Sequence, residues 1–202
     1  MADQRRSQLI RGFIALKLGK GHLPTASSAV RTLTACPQGG AIRWVRSENL
    51  HVTLRFLGSL REEGVEPLHR AVRLAVATEP AFDLGIGPLG LFPRSRRPRV
   101  VAAALVPEEP VARLAAAVDQ GIEAAGLPGE ERTFRAHLTL GRVKRNAPGS
   151  LAELAGAMER FNADREERSG IGRITEIVLF KSDLKPDGPV YTELWAVPLA
   201  GA

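Results

Sequence analysis

Two of the four histidines in the chain lie in the same short sequence pattern. The pattern begins at His51 and at His137, and each histidine is followed by an apolar residue, a threonine and a second apolar residue (HVTL and HLTL). With an average composition, the chance that two of four histidines share it is on the order of 1 in 1,000. The duplication therefore points to shared chemistry.

Side chains alternate between the two faces of a β-strand, so each pattern predicts a strand with one reactive face. His51 and Thr53 would lie on one face of the first strand, and His137 and Thr139 would share a face of the second. The apolar residues between them would pack into the core. If the two strands face each other, two imidazoles and two hydroxyls meet in one cleft.

Such a site suits a phosphodiester. One neutral histidine can take a proton from water while the other, protonated, gives a proton to the departing oxygen. The threonine hydroxyls can donate hydrogen bonds to the non-bridging phosphate oxygens, where charge builds up. This scheme needs no metal and no cofactor, and no carboxylate cluster has metal-ligand spacing.

The surrounding sequence predicts an α+β fold, because short strands alternate with amphipathic helices and consecutive strands are joined by turns. We predict one domain over 1–202 with eight strands, 12–18, 42–45, 50–57, 82–86, 100–106, 137–143, 174–180 and 190–197, and four helices, 25–33, 67–78, 111–125 and 151–161. Gly58 is predicted to end the third strand. A helix followed by a strand with the His-x-Thr pattern occurs in each half.

These residues resemble the RNA 2′,3′-cyclic phosphodiesterases, also called 2′-5′ RNA ligases (LigT-like), of the two-histidine phosphoesterase superfamily. The resemblance covers RGFIAL at 11–16, RWVRSENLHVTLRFLG at 43–58, the segment 89–101, FRAHLTLGR at 134–142, and IVLFKS at 177–182. Ala136 departs from the family, which usually has proline before the second histidine. Without proline, the backbone before His137 is less rigid.

The resemblance implies two pseudo-symmetric lobes, each an antiparallel sheet with helices packed outside, around a central cleft. It implies hydrolysis of 2′,3′-cyclic phosphate ends of RNA, with tRNA fragments as one source, to 2′-phosphomonoesters by a monomer. Family precedent makes His51 the acid on the leaving 3′-oxygen and His137 the base on water, roles that the sequence itself does not assign. In reverse, the same pair would form a 2′-5′ linkage.

Two arginines follow the patterns and are candidates for binding the substrate phosphate. Strict alternation places Arg55 on the face of His51, where it could reach the phosphate or be a solvated strand residue. The same rule places Arg142 on the strand face that does not carry His137, unless a β-bulge follows Gly141.

A basic segment at Arg94, Arg96, Arg97 and Arg99 is the densest cationic cluster. It could contact an RNA backbone, with Arg97 as the candidate residue, or form a solvated turn. Phe92 could stack on a base, although packing beneath this loop is the favoured interpretation.

Three other residues have no role in this scheme. His22 and His69 lack a threonine two residues later and are predicted to be on the surface. Tyr191 could reach the cleft or hydrogen-bond locally.

Composition narrows the function classes. There are 28 basic and 22 acidic residues, giving a net charge of +6, which is compatible with an anionic partner. A single cysteine rules out an intrachain disulfide or a cysteine-based zinc site. No signal peptide or membrane-spanning segment is recognised, so the cytoplasm is the expected compartment.

Three alternative functions remain open. The chain could act on small cyclic nucleotides or 2′-5′ oligoadenylates with the same site, or it could bind RNA ends without turnover. A histidine-based metal hydrolase is the last, and it predicts loss of activity with chelator. Zinc sites usually take three protein ligands, whereas two convergent histidines are predicted.

Overall fold

The computed structural model describes residues 8–93, 97–164, 170–186 and 188–202. Within these residues it has nine strands and four α-helices, which confirms the α+β class. The strands are β1 (Leu9–Lys17), β2 (Ile42–Trp44), β3 (His51–Arg61), β4 (Phe82–Phe92), β5 (Val100–Val106), β6 (Leu138–Val143), β7 (Ile171–Ile174), β8 (Glu176–Lys185) and β9 (Gly188–Pro198). The helices are α1 (Leu23–Thr34), α2 (Val65–Ala75), α3 (Glu109–Ala124) and α4 (Ala152–Ala163).

The strands form two antiparallel sheets, in the orders β3-β1-β8-β9 and β2-β6-β5-β4-β7. β3 carries the first histidine pattern and pairs with β1, while β6 carries the second and pairs with β5. The segments β1-α1-β3-α2 and β5-α3-β6-α4 therefore repeat one order, with the short β2 inserted before β3. This repetition confirms the two pseudo-symmetric lobes.

The helices cover one face of each sheet. α3 packs on α2 and β3, and α4 packs on α1 and β4. In α3 the apolar residues recur at helical spacing and are buried, namely Val111, Leu114, Val118 and Ile122. They join an aliphatic core shared by both sheets. The two sheets meet where β3 contacts β6, the strands of the two histidine patterns, and the region between these patterns is called the cleft below.

Two strand predictions are wrong in detail. The short strand β7, which pairs with β4, was not predicted, because its sequence IGRI has only two apolar residues. Gly58 does not end β3, which continues to Arg61. Its positive φ of 66° is accommodated where a bulge leaves Leu57 without a partner on β1. No helix among the described residues is long and apolar enough to cross a membrane.

Candidate active site

His51 stands at the first position of β3 and is fixed by the backbone just before it. Its Nδ1 lies 2.7 Å from the carbonyl oxygen of Asn49. Because a carbonyl only accepts hydrogen bonds, Nδ1 carries the proton of this bond. Nε2 is therefore the nitrogen available for proton transfer. Asn49 is itself held by a hydrogen bond from Nδ2 to the oxygen of Pro189, 3.0 Å away.

His137 has the same arrangement in the second half. It immediately precedes β6, and its Nδ1 lies 2.8 Å from the carbonyl oxygen of Arg135, again two residues earlier. The same argument leaves Nε2 for proton transfer. Both histidines thus present the same nitrogen.

The structure brings the two histidines into one electrostatic environment. Burial is the main cause that lowers the pKa of His51, and the bond to Asn49 opposes it. The positive charges of Arg142 and His137 lower the pKa of His51 further. His137, which is 86 positions from His51 in the sequence, therefore acts on the His51 imidazole. At neutral pH, a lowered pKa favours the neutral form of His51.

Aromatic rings explain why His51 is poorly solvated. The Phe13 ring lies 4.7 Å from the imidazole centroid, and Tyr191 meets it edge-on at 5.3 Å. Phe13 and Phe180 belong to a small apolar cluster on this side of the sheet. Burial raises the pKa of the Tyr191 phenol, while the positive charges of Arg142 and Arg11 lower it. Tyr191 thus reaches the cleft, a choice that the sequence left open.

His137 has a more open environment. Its ring stacks on Phe92 at a centroid distance of 6.0 Å and an angle of 15°. The guanidinium carbon of Arg135 lies 6.0 Å from the centroid of Phe92. Phe92 is 37% exposed, and its packing beneath the basic loop stays a prediction because residues 94–96 lie outside the described residues.

The two threonines occupy equivalent, half-buried positions. Thr53 lies opposite Ala15 on β1, and Thr139 lies opposite Ala102 on β5. The small alanines leave each hydroxyl uncrowded by the neighbouring strand. The residues before and after each threonine are buried, so the alternation predicted for both patterns is present.

A β-bulge follows each threonine and changes the faces of the next residues. On β3 the register passes from Thr53 opposite Ala15 to Arg55 opposite Ile14, which skips one residue. Arg55 is thereby turned away from His51, and its side chain is only 9% exposed. The prediction that Arg55 shares the face of His51 is therefore wrong, because strict alternation fails at the bulge.

The same irregularity on β6 has the opposite consequence. The register passes from Thr139 opposite Ala102 to Gly141 opposite Val101. Arg142 is exposed and returns to the face of Thr139, in agreement with its influence on the pKa of His51. The condition named from the sequence was a bulge after Gly141, whereas the bulge lies before Gly141 and leaves Leu140 without a partner on β5.

The basic segment is described only in part. Arg94 and Arg96 lie outside the described residues. Arg97 is exposed and lies in the connection from β4 to β5, five residues after Phe92. A contact between Arg97 and RNA stays a prediction.

The two remaining histidines are not simple surface residues. His22 is completely buried, and its Nε2 donates to the carbonyl oxygen of Leu84 at 2.8 Å while Nδ1 accepts from the amide of Gly19. His69 is half-buried and stacks on Trp195 at 5.2 Å. The surface prediction is wrong for His22, because the turn before α1 folds under β4 and β7.

Phe13 and Phe56 were missed as cleft residues. Phe13 alternates with Ala15 on β1, a signal that could have placed it beside Thr53. Phe56 follows the bulge, lies opposite Phe13 and is 60% exposed. Among the described residues, no three His, Cys, Asp or Glu side chains are grouped to hold a metal ion.

Comparisons with known proteins identify the family of the chain. A family model described as the 2'-5' RNA ligase superfamily matches residues 25–186. A Methanothermobacter thermautotrophicus protein named RNA 2',3'-cyclic phosphodiesterase is 32% identical, over 92% of this chain and 96% of its own length. An Archaeoglobus fulgidus protein of the same name is 34% identical, over 76% and 81%.

Solved structures share the fold. A Thermus thermophilus protein superposes with a TM-score of 0.72 at 28% identity, covering 95% of this chain and 99% of that one. E. coli LigT, crystallised with 3'-AMP, gives a TM-score of 0.72 at 23% identity, with coverage of 96% and 99%, and supports the fold alone. Together with the family model, these relatives show that the chain is an enzyme that belongs to the 2'-5' RNA ligase superfamily.

Proposed function

We propose that this enzyme hydrolyses the 2′,3′-cyclic phosphate ends of RNA to 2′-phosphomonoesters, without a metal, using His51 and His137. One observation carries the proposal. Two histidines from equivalent strands each commit Nδ1 to a backbone carbonyl, and the charge of one acts on the other. That arrangement suits one proton donor and one proton acceptor on opposite sides of a phosphate. The names of the relatives support the same substrate class.

The reaction needs two proton transfers. A water oxygen attacks the phosphorus while the base nitrogen takes its proton, and the bond from phosphorus to the 3′-oxygen breaks. The acid nitrogen gives its proton to that oxygen, leaving a 2′-phosphate and a 3′-hydroxyl. Each transfer contributes roughly 10²–10⁴ in rate. The hydroxyls of Thr53 and Thr139 donate to the non-bridging oxygens, and Arg142 adds a positive charge nearby.

We propose His51 as the acid and His137 as the base, following the family resemblance. Burial lowers the pKa of His51 and so favours the neutral imidazole. A bound phosphate brings negative charge, which favours the protonated form and opposes this effect. The exchanged assignment, with His51 as the base, is the second candidate because the lowered pKa favours it. The same pair, run in reverse, would join a cyclic phosphate to a 5′-hydroxyl as a 2′-5′ linkage.

RNA, with tRNA fragments among its sources, is the proposed partner of a monomeric enzyme. The net charge of +6 and the exposed Arg97 support binding to a polyanion. Small cyclic nucleotides and 2′-5′ oligoadenylates would use the same histidines. They differ in needing no contact beyond the nucleotides at the cleft.

The test is turnover of a short RNA with a 2′,3′-cyclic phosphate end in EDTA, with the product end identified. His51→Ala and His137→Ala should each abolish most turnover. His69→Ala, a histidine on α2 outside the cleft, is the matched control and should retain it. Activity lost in EDTA and restored by metal would contradict the proposal. Tight binding without turnover would favour an RNA-end-binding protein. Neither turnover nor binding of this RNA would favour an enzyme that acts on a different phosphoester.

A further inference from the structure

Arg55 is a buried cation that the catalytic scheme does not use. Its side chain is 9% exposed and donates three hydrogen bonds. Nη1 donates to Oδ1 of Asp119 on α3 at 2.5 Å, and Nη2 donates to the carbonyl oxygen of Pro128 at 2.6 Å. Nε donates to the carbonyl oxygen of Phe56 at 3.3 Å. A guanidinium held this way fixes its partners in both distance and direction.

Two partners of Arg55 are tied to the connection that leads to the other histidine, because Pro128 lies in it and Asp119 of α3 contacts it. The second oxygen of Asp119 accepts from the amide of Glu130 at 3.2 Å, so the carboxylate bridges Arg55 and this connection. Residues 127–137 between α3 and β6 contain no helix or strand. At its far end lie Arg135, which holds Nδ1 of His137, and Ala136 in place of the family's proline.

We propose that Arg55 is a positioning residue for His137, which it acts on through Asp119, Pro128 and the connection between α3 and β6. Arg55, which follows the bulge on the first histidine strand, thus fixes the position of the second histidine. The proposal rests on the proposed function, because it assumes that His137 transfers a proton. Placement of a reacting group matters steeply, since an error of about 1 Å can cost about 10²-fold in rate.

Arg55→Met removes the charge and keeps an unbranched side chain. We expect kcat on the cyclic-phosphate RNA to fall about 10²-fold while KM changes by less than about threefold, because the reacting geometry is lost and the binding face is intact. Arg55→Lys keeps a positive charge for Asp119 but lacks the forked guanidinium that also reaches Pro128. Its kcat should fall about 10-fold. Arg113→Met is the matched control, because Arg113 pairs with Glu79 and Glu109 on the exposed side of α3.

Imidazole nuclear magnetic resonance separates positioning from general weakening of the fold. Below the melting temperature of each variant, the signals of His137 should move or broaden in Arg55→Met while those of His51 stay in place. Asp119→Asn should move the same signals. In the double variant of Arg55→Met and Asp119→Asn, the fold-decrease in kcat should be smaller than the product of the two single decreases, because the two residues act as a unit.

Several outcomes would overturn the proposal. A folded Arg55→Met with kcat within about twofold of the parent and unmoved His137 signals would do so, as would a rise in KM alone. If Arg55→Met does not fold, Arg55→Lys and Asp119→Asn decide by the same measurements. A fully active His137→Ala would contradict the proposed function instead, while any effect of Arg55 on the His137 signals would remain.

Discussion

The two histidine strands are alike through the fourth residue of the pattern and differ after it. Both bulges leave that fourth residue, Leu54 or Leu140, without a partner on the neighbouring strand. The next position holds Arg55 in the first half and Gly141 in the second. The position after that holds Phe56 in the first half and Arg142 in the second. The shared segment carries the groups that we propose for proton transfer, and the residues after the bulge make the two sides of the cleft unequal.

Packing explains why the position after the bulge differs. A Cβ atom at Gly141 would lie 2.5 Å from Cγ2 of Ile42 and 2.9 Å from Cε3 of Trp44, so β2 leaves no room for a side chain. β3 is an edge strand with no counterpart of β2 beside it among the described strands. Arg55 can therefore extend toward α3. β2 therefore excludes a side chain at Gly141, whereas the absence of such a strand beside β3 among the described strands allows the long side chain of Arg55.

The surroundings of the two histidines also differ. His51 is enclosed by Phe13 and Tyr191, whereas His137 rests on the partly exposed Phe92. Unequal environments are how one side-chain type supplies both an acid and a base at the same pH. In the proposed mechanism, the symmetric part of the site therefore provides the reacting groups, and the asymmetric part makes their environments unequal.

The largest expected effect separates those roles. On the ordinary substrate, His51→Ala and His137→Ala should each lose about 10²–10⁴ in kcat. A cyclic substrate with sulfur in place of the 3′-oxygen releases a thiolate, which needs no acid. His51→Ala should recover most of its activity on this substrate, while His137→Ala should not. Recovery of His137→Ala instead would exchange the two roles.

Loss of either threonine hydroxyl should rank next. Thr53→Val and Thr139→Val keep the shape of the side chain and should each lower kcat by about 10²–10³, the effect of removing one donor to a developing negative charge. Thr192→Val, at an exposed position on β9, is the control. A loss in only one variant would mean that a single half binds the non-bridging oxygens.

The sequence was sufficient for this part of the site because alternation on a strand is a local property. His51 with Thr53, and His137 with Thr139, share faces as predicted. Alternation fails where a bulge depends on the neighbouring strand, so Arg55 was placed on the wrong face. Burial of His22 likewise depends on β4 and β7, which are distant in sequence. Contacts across the fold, rather than local patterns, are what sequence reasoning could not supply.

Replacement of Arg142, the cation that follows the bulge on β6, should have a moderate effect on activity. Arg142→Met removes a positive charge that acts on His51, so the pKa of His51 should rise, as measured by imidazole titration. We expect kcat/KM to fall about 10- to 100-fold, because a hydrogen bond to a charged group contributes about 1.5–3 kcal/mol. Arg160→Met, exposed on α4, should change neither quantity. An unchanged His51 titration would place Arg142 away from the cleft.

Replacement of Phe56, the aromatic residue that follows the bulge on β3, should have a smaller effect that is confined to substrate binding. Phe56 is 60% exposed on the cleft side of β3. Stacking of a base on an aromatic ring contributes about 1–3 kcal/mol, so Phe56→Ala should raise KM at least about fivefold with little change in kcat. Phe56→Leu keeps apolar area without a π-face and should be intermediate. Equal KM values for Phe56→Ala and the parent would exclude the ring from substrate binding.

The smallest effect concerns stability and tests the burial of His51 directly. Its pKa is lowered in the folded chain from about 6.5 in the unfolded chain. As the pH falls through 6.5, the unfolded state binds the proton first, so the free energy of unfolding decreases until the folded-state pKa is passed. His51→Gln lacks this contribution, while the other histidines contribute equally to both proteins. The stability of the parent relative to His51→Gln, from urea unfolding between pH 7.5 and 5, should therefore decline as the pH is lowered. A difference independent of pH would mean that the aromatic enclosure does not desolvate His51, and the contrast with His137 would have to rest on charge alone.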